Sequence, residues 1–189
     1  ANYTKDFTGT WIVESGTLEL AGRENQLQGA HVVVEGGATY TQTGVHFGSS
    51  SNMGASVTLK DGAVYSPAGL TNWTIQDPYA LSSPIILDSG TATFQFVPHG
   101  LDPDGNPRTN VLAQNGVISG AGGLLYDAHP QYGSAEQVIR LTQVNPYNGD
   151  TIIDRGTLEV TGQLLNSHVT VRSGATLIAS VFNVPAGVT

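Results

Sequence analysis

Residues 9–22 read Gly-Thr-Trp-Ile-Val-Glu-Ser-Gly-Thr-Leu-Glu-Leu-Ala-Gly, and residues 149–162 read Gly-Asp-Thr-Ile-Ile-Asp-Arg-Gly-Thr-Leu-Glu-Val-Thr-Gly. The likeness continues downstream, since residues 31–40 (His-Val-Val-Val-Glu-Gly-Gly-Ala-Thr-Tyr) correspond to residues 168–177 (His-Val-Thr-Val-Arg-Ser-Gly-Ala-Thr-Leu). A phrase repeated over this length indicates a chain built from stacked copies of one unit. It favours a rod or an extended surface over a single catalytic pocket.

A shorter form of the phrase recurs between the two copies, around Gly62 and Gly90. Each version has apolar side chains at alternate positions, followed by a glycine and a small residue. The alternation predicts a short strand with one buried face, and the glycine predicts the bend that ends it. The side chains expected to form inward ladders are Val13, Leu18, Leu20, Val32, Val34, Ile153, Leu158 and Val160.

These repeats predict an all-β fold, a parallel β-helix (β-solenoid) of about eight irregular coils. We expect one domain over residues 1–189. Its expected parts are repeat coils in 1–65, irregular coils with loop insertions in 66–135, repeat coils in 136–179 and a strand-like tail in 180–189. A β-sandwich is the alternative fold, because it also has short strands separated by frequent turns.

The composition narrows the classes of function. The 189 residues carry a net charge of −8 at pH 7 and include no Cys. Nucleic acid requires a basic face, so it is not an expected partner, and no membrane insertion is expected because no apolar run approaches the roughly 20 residues of a membrane-spanning helix. Asn2 and Asn72 match the glycan acceptor pattern, which is common by chance. The start at Ala1, without a signal peptide, suits a mature secreted protein or a piece of a longer chain.

Residues 116–178 resemble the autotransporter-associated β-strand repeat of bacterial proteins. The likeness rests on four elements: Gly-rich residues 120–123, the strand Ile139-Arg140-Leu141-Thr142, the corner Asn-Pro-Tyr-Asn-Gly at 145–149, and Gly156-Thr157-Leu158. A partial copy covers about residues 1–40 and lacks the first strand. The chain departs from the family pattern at Pro146 and in a polar insertion at 126–137.

That resemblance implies a right-handed parallel β-helix exported to a bacterial cell surface or the extracellular space. It also implies that the repeats serve as stalk and folding scaffold and carry no catalytic residues. No cofactor is therefore expected from the repeats.

A loop at residues 98–108 is the only calcium candidate that the sequence offers. Asp102, Asp104 and Asn106 alternate as calcium ligands do. The EF-hand pattern fails, because Pro107 stands where that loop requires Gly. An ordinary turn is the stronger interpretation, and calcium is the weaker one.

Two further groups have a functional and a structural interpretation. Asp127, His129 and Glu136 could supply acid–base chemistry, although a solvated loop is the stronger interpretation. An aromatic stripe could stack on surface glycans, although core and corner packing is the stronger interpretation. Its members would be Trp73, Tyr79, Tyr126, Tyr132 and Tyr147. The five histidines lack metal-ligand spacing, and His31 and His168 are repeat equivalents, which suits a structural role.

The sequence favours a non-enzymatic structural or adhesive surface protein. Its partner would be a further copy of itself, added head to tail, or the adjacent repeats of a longer chain. In the head-to-tail version the tail of one subunit completes the first coil of the next. The interface candidates are Asn2, Tyr3, Phe7, Trp11, Val181, Phe182, Val184 and Val188, with Trp11 expected at an outward or corner position.

Two alternatives stay open. A polysaccharide lyase or hydrolase on a β-helix would need clustered carboxylates, and the 15 acidic residues are spread thinly. An ice-binding surface would need regular Thr-x-Thr ladders, which Thr39–Thr41 and Thr91–Thr93 supply only locally.

Overall fold

The computed structural model describes residues 8–21, 27, 29–43, 54–67, 79–96, 110–128 and 137–179, and these form strands without a helix. The strands are β1 (Thr10–Val13), β2 (Thr17–Ala21), β3 (His31–Val34), β4 (Thr39–Thr43), β5 (Ser56–Leu59), β6 (Val64–Pro67), β7 (Tyr79–Leu81), β8 (Ile85–Leu87), β9 (Thr91–Phe94), β10 (Asn110–Gln114), β11 (Ile118–Gly120), β12 (Gly123–Asp127), β13 (Gln137–Leu141), β14 (Val144–Asn145), β15 (Thr151–Arg155), β16 (Thr157–Val160), β17 (Gln163–Leu164), β18 (Val169–Val171) and β19 (Thr176–Ala179).

The strands form three long sheets and one short pair. Sheet A has the order β1-β3-β5-β8-β11, sheet B has β2-β4-β6-β9-β12-β15-β18, and sheet C has β7-β10-β13-β16-β19, while β14 pairs with β17. From β5 to β13 the chain visits A, B and C in turn, and every pairing in the described residues is parallel. The fold is therefore a parallel β-solenoid with seven described turns, as the seven strands of sheet B show.

The β-sandwich alternative is wrong, because a sandwich is built from antiparallel sheets. Right-handedness stays a prediction.

The three sheets bury a single hydrophobic core. Its centre in sheet B is an aromatic column in which Tyr40, Tyr65, Phe94 and Tyr126 occupy successive turns in register. The rings of Tyr65 and Phe94 meet edge to face with centroids 4.9 Å apart, an arrangement that aromatic pairs favour. Stacking in this solenoid is therefore reinforced by ring contacts from turn to turn.

The predicted inward ladders are confirmed, with one qualification. Six of the eight predicted side chains are buried in the core: Val13, Val32, Val34, Ile153, Leu158 and Val160. Leu18 and Leu20 are only half-buried and pack against the core from β2, the outermost described strand of sheet B. Their position at the end of the stack explains the difference, since no described turn lies beyond them.

The two copies of the repeated phrase lie on different faces of the solenoid. Strands β1 and β15 carry equivalent sequences, yet β1 belongs to sheet A and β15 to sheet B; likewise β2 belongs to sheet B and its equivalent β16 to sheet C. The glycine of the phrase has positive φ in both copies, at Gly16 between sheets A and B and at Gly156 between sheets B and C. The phrase therefore specifies a corner between two sheets, but it does not specify which two sheets the corner joins.

Trp11 occupies a position that corrects the sequence expectation. It pairs in register with Val32, which is completely buried, so Trp11 lies on the core-facing side of β1 and not on the outward side. It is still 42% exposed, because β1 is the outermost strand of sheet A in the described residues. Trp11 is therefore exposed because it lies at the end of the described stack, and not because its side chain points outward.

Candidate functional surfaces

A buried asparagine ties the corner at residues 145–149 to the preceding turn. The side chain of Asn145 is 1% exposed, and its Oδ1 accepts a hydrogen bond of 2.8 Å from the backbone N–H of Ile118 on β11. Its Nδ2 donates to the carbonyl of Gln143 at 2.7 Å. The side-chain amide of Asn145 takes the place of a backbone hydrogen bond where β14 adjoins β11. Asn145, the first residue of the corner, therefore has a structural role.

A chain of three hydroxyl groups fills the inside of the same corner. Tyr147 Oη lies 2.5 Å from Thr151 Oγ1, which lies 2.6 Å from Ser167 Oγ, and all three residues are completely buried. Burial raises the pKa of Tyr147 to about 12, because ionising the phenol here would place a charge in the core. Because each of the three hydroxyl groups has a hydrogen-bond partner, this polar corner is buried without leaving any of them unsatisfied.

This corner is expected to make stability sensitive to alkaline pH. Free tyrosine ionises near pH 10, so the unfolded chain loses this proton while the folded chain retains it up to about pH 12. The contribution of Tyr147 is complete below about pH 10 and is lost between about pH 10 and about pH 12, by on the order of 3 kcal/mol in all. Urea unfolding between about pH 9 and pH 11.5 should show a smaller alkaline loss for Tyr147→Phe than for the wild type. Identical pH profiles would contradict the assignment.

An ionic chain runs along the outer edge of sheet B over its last three turns. Arg155 on β15 makes a bidentate contact with Asp127 on β12, at 2.6 and 2.8 Å. Asp154 pairs in turn with Arg172, which follows β18. The pKa of the Arg155 guanidinium is raised, first by its hydrogen bonds to Asp127. These partly exposed pairs contribute little free energy each, but they bridge turns five, six and seven.

Two other ion pairs also join neighbouring turns. Arg140 on β13 contacts Glu159 on β16 at 2.7 Å, one turn apart on sheet C. Lys60 contacts Glu35 at 2.8 Å, one turn apart at the end of the sheet A strands. The hydrogen bond and charge of Glu35 raise the pKa of Lys60. Each described Lys and Arg therefore has a carboxylate partner on a neighbouring turn.

The structure describes only some of the acid–base and glycan candidates. Asp127 is held by Arg155, while His129 and Glu136 lie outside the described residues. Tyr126 is buried and donates to the carbonyl of Gln137 at 2.9 Å, and its buried hydroxyl has a raised pKa. With Tyr147 also buried, these two rings are not available to stack on sugars. Trp73 and Tyr132 lie outside the described residues, and nothing is described of the Tyr79 side chain.

The calcium candidates Asp102, Asp104 and Asn106 also lie outside the described residues. In the described ranges no group of three or more His, Asp or Glu side chains is placed to hold a metal ion. The described part of the chain likewise includes no helix long and apolar enough to cross a membrane. Of the interface candidates only Trp11 is described; Asn2, Tyr3, Phe7, Val181, Phe182, Val184 and Val188 fall outside.

The sequence expectations missed the outer surface of sheet A, which we call face A. Ile12 and Ile86 project outward from β1 and β8 and are exposed, beside the half-buried Val33. The sequence did contain an indication of this surface, because residues 32–34 and 85–87 are unbroken apolar runs. A strand with one solvent-exposed face would instead alternate apolar and polar residues.

Comparison of the chain with protein-family models, with curated proteins and with solved structures finds no match.

Proposed function

We propose that this chain is a non-enzymatic structural or adhesive protein, exported to the bacterial cell surface or the extracellular space. It would act as a subunit of a head-to-tail filament or as a segment of an autotransporter-like stalk. The observation that carries the proposal is the parallel stacking of the described turns, with one strand of sheet B added at each of seven turns. Each turn in such a stack contacts only its neighbours, so a further turn can be added from another subunit or an adjacent repeat.

The edges of the stack support the same proposal. Sheet B runs through all seven described turns, with β2 as its first strand and β18 as its last. A parallel strand edge is a template for another parallel strand, whether that strand belongs to a second subunit or to an adjacent repeat. The described cationic side chains are engaged in contacts between turns, which is a structural use of charge.

Electron microscopy of the purified chain tests the filament form of this proposal. We expect unbranched fibres, and a variant lacking residues 180–189 should assemble more weakly. A wild-type chain that stays monomeric at high concentration, unaffected by that deletion, would contradict end-to-end addition. Turnover assays on polyuronate and mucin substrates test the enzyme alternative, and robust cleavage would replace our proposal with it.

A further inference from the structure

The chain contains two Asn-Gly sequences, Asn115-Gly116 and Asn148-Gly149, and both lie at corners between strands. Asn-Gly is the dipeptide most prone to spontaneous deamidation, because glycine has no side chain to hinder attack by its backbone nitrogen. The side chains of Asn115 and Asn148 are both exposed. Sequence and exposure alone therefore predict two rapidly modified sites.

The chemistry of deamidation makes demands on the backbone. The glycine nitrogen loses its proton and attacks Cγ of the preceding asparagine; a C–N bond forms, and the side-chain amide leaves as ammonia with that proton. Water then opens the resulting succinimide to aspartate or to isoaspartate, in which the main chain runs through the side-chain carbon. The glycine N–H must therefore be free, and the peptide must be able to turn toward the side chain.

Neither glycine N–H is free in the stacked turns. Gly116 N–H donates to the carbonyl of Leu81 at 3.2 Å, and Gly149 N–H donates to the carbonyl of Gly122 at 3.1 Å. In both cases the acceptor lies on the preceding turn. The N–H of Asn115 also donates to Leu81, at 2.7 Å, so two successive peptides are held by one carbonyl.

The packing around the two glycines also prevents rotation. A Cβ at Gly116 would overlap the backbone carbonyl oxygen of Ser83, and a Cβ at Gly149 would overlap the backbone nitrogen of Gly123. Both glycines are thus pressed against the main chain of the turn before them, which cannot move aside as a side chain could. The peptide cannot turn toward the asparagine while the turns stay stacked.

The asparagine side chains are held from the opposite direction. Asn115 Oδ1 accepts a hydrogen bond of 2.8 Å from Thr142 Oγ1, and Asn148 Oδ1 accepts one of 2.9 Å from Asn166 Nδ2. Both donors belong to the following turn. Each Asn-Gly pair is therefore clamped between two neighbouring turns, with its nitrogen bound to one and its side chain bound to the other.

We propose that Asn115 and Asn148 are latent deamidation sites, which the stacked turns keep unreactive and which react when a turn opens. Conversion then hinders the same turn from closing again. Isoaspartate at 115 inserts an extra main-chain carbon between the two N–H groups that must both reach Leu81. Either product also adds a negative charge to a chain whose net charge is already −8. This inference does not depend on whether the chain forms a filament.

Peptide mapping by mass spectrometry tests the protection directly. The full chain is incubated at mildly alkaline pH, either folded or unfolded in guanidinium chloride, and the conversion of each asparagine is followed with time. Asn115 and Asn148 should both react at least about tenfold more slowly in the folded chain. Asn145 is the internal control, because it precedes Pro146, which has no N–H, and it should stay unmodified in both states.

Refolding provides the second readout. A wild-type chain that is kept unfolded until both sites are converted should recover less of its native circular dichroism on dilution than fresh protein does. The double variant Asn115→Gln/Asn148→Gln is the matched control, since glutamine would have to close a larger ring that forms far more slowly. This variant should refold equally well before and after the same incubation, which excludes other damage by the denaturant.

Two results would overturn the proposal. Equal deamidation rates in the folded and unfolded chain, at either asparagine, would mean that stacking does not hold that glycine nitrogen. A converted wild type that refolds as completely as the double variant would mean that the modification does not hinder closure. Both measurements use the single chain in solution, so a failure to form fibres would contradict the filament alone and leave this inference standing.

Discussion

Gly120→Ala is expected to lower the free energy of unfolding by more than about 3 kcal/mol. Gly120 has a φ of +115°, and a Cβ built there would overlap the backbone carbonyl oxygen of Leu87 on the turn below. A backbone atom within a parallel ladder cannot rotate away as a side chain could. The substitution should therefore separate sheet A at the fourth and fifth turns.

Gly37→Ala is the matched control. Gly37 also has a positive φ, +78°, but a Cβ there would meet open space. Only the backbone strain remains, and its cost is about 1–2 kcal/mol. Urea unfolding of both variants measures the difference, which isolates the close approach of the turns. Equal losses would mean that neighbouring turns are not stacked as tightly as the structure has them.

Phe94→Ala should cost about 3–5 kcal/mol. Phe94 is 1% exposed and stands in the middle of the aromatic column of sheet B, edge-on to Tyr65 and in register with Tyr126. Its removal leaves a cavity that the rigid turns on either side cannot close. Ile12→Ala, at a side chain that is 59% exposed, should change stability by less than about 1 kcal/mol.

Thermal unfolding followed by circular dichroism would compare these two variants. A mild Phe94→Ala phenotype, close to that of Ile12→Ala, would show that the aromatic column does not hold the turns together. A large loss at position 94 alone would support a single continuous core.

The sequence was sufficient to predict the strands and their corners, because both depend on local chemistry. Alternating Val32 and Val34 must face one way, and a glycine such as Gly90 must end the strand where φ turns positive. Local chemistry does not say which face a strand joins. The turn before Gly16 runs from sheet A to sheet B, whereas the identical Gly-Thr-Leu phrase at Gly156 runs from sheet B to sheet C.

The candidate surfaces were harder to predict because they depend on stacking. Trp11 looks like an outward residue from the sequence, yet its pairing with Val32 places it on the core side, exposed only at the end of the stack. Tyr147 is expected from the sequence to pack in the core or at a corner, and it does, but the closing of Thr151 and Ser167 from two turns over its hydroxyl does not follow from the sequence. Both assignments require knowing which residue lies on the turn above or below.

A spin-label distance series along sheet B tests the parallel stack most directly. Thr17, Leu125 and Thr170 occupy the same outward column on the first, fifth and seventh turns. Labels at Cys introduced at 17 and 125 should be about 19 Å apart at the backbone, and labels at 17 and 170 about 29 Å, in proportion to the number of turns. A 17–170 distance equal to or shorter than the 17–125 distance would contradict the solenoid and every surface assigned from it.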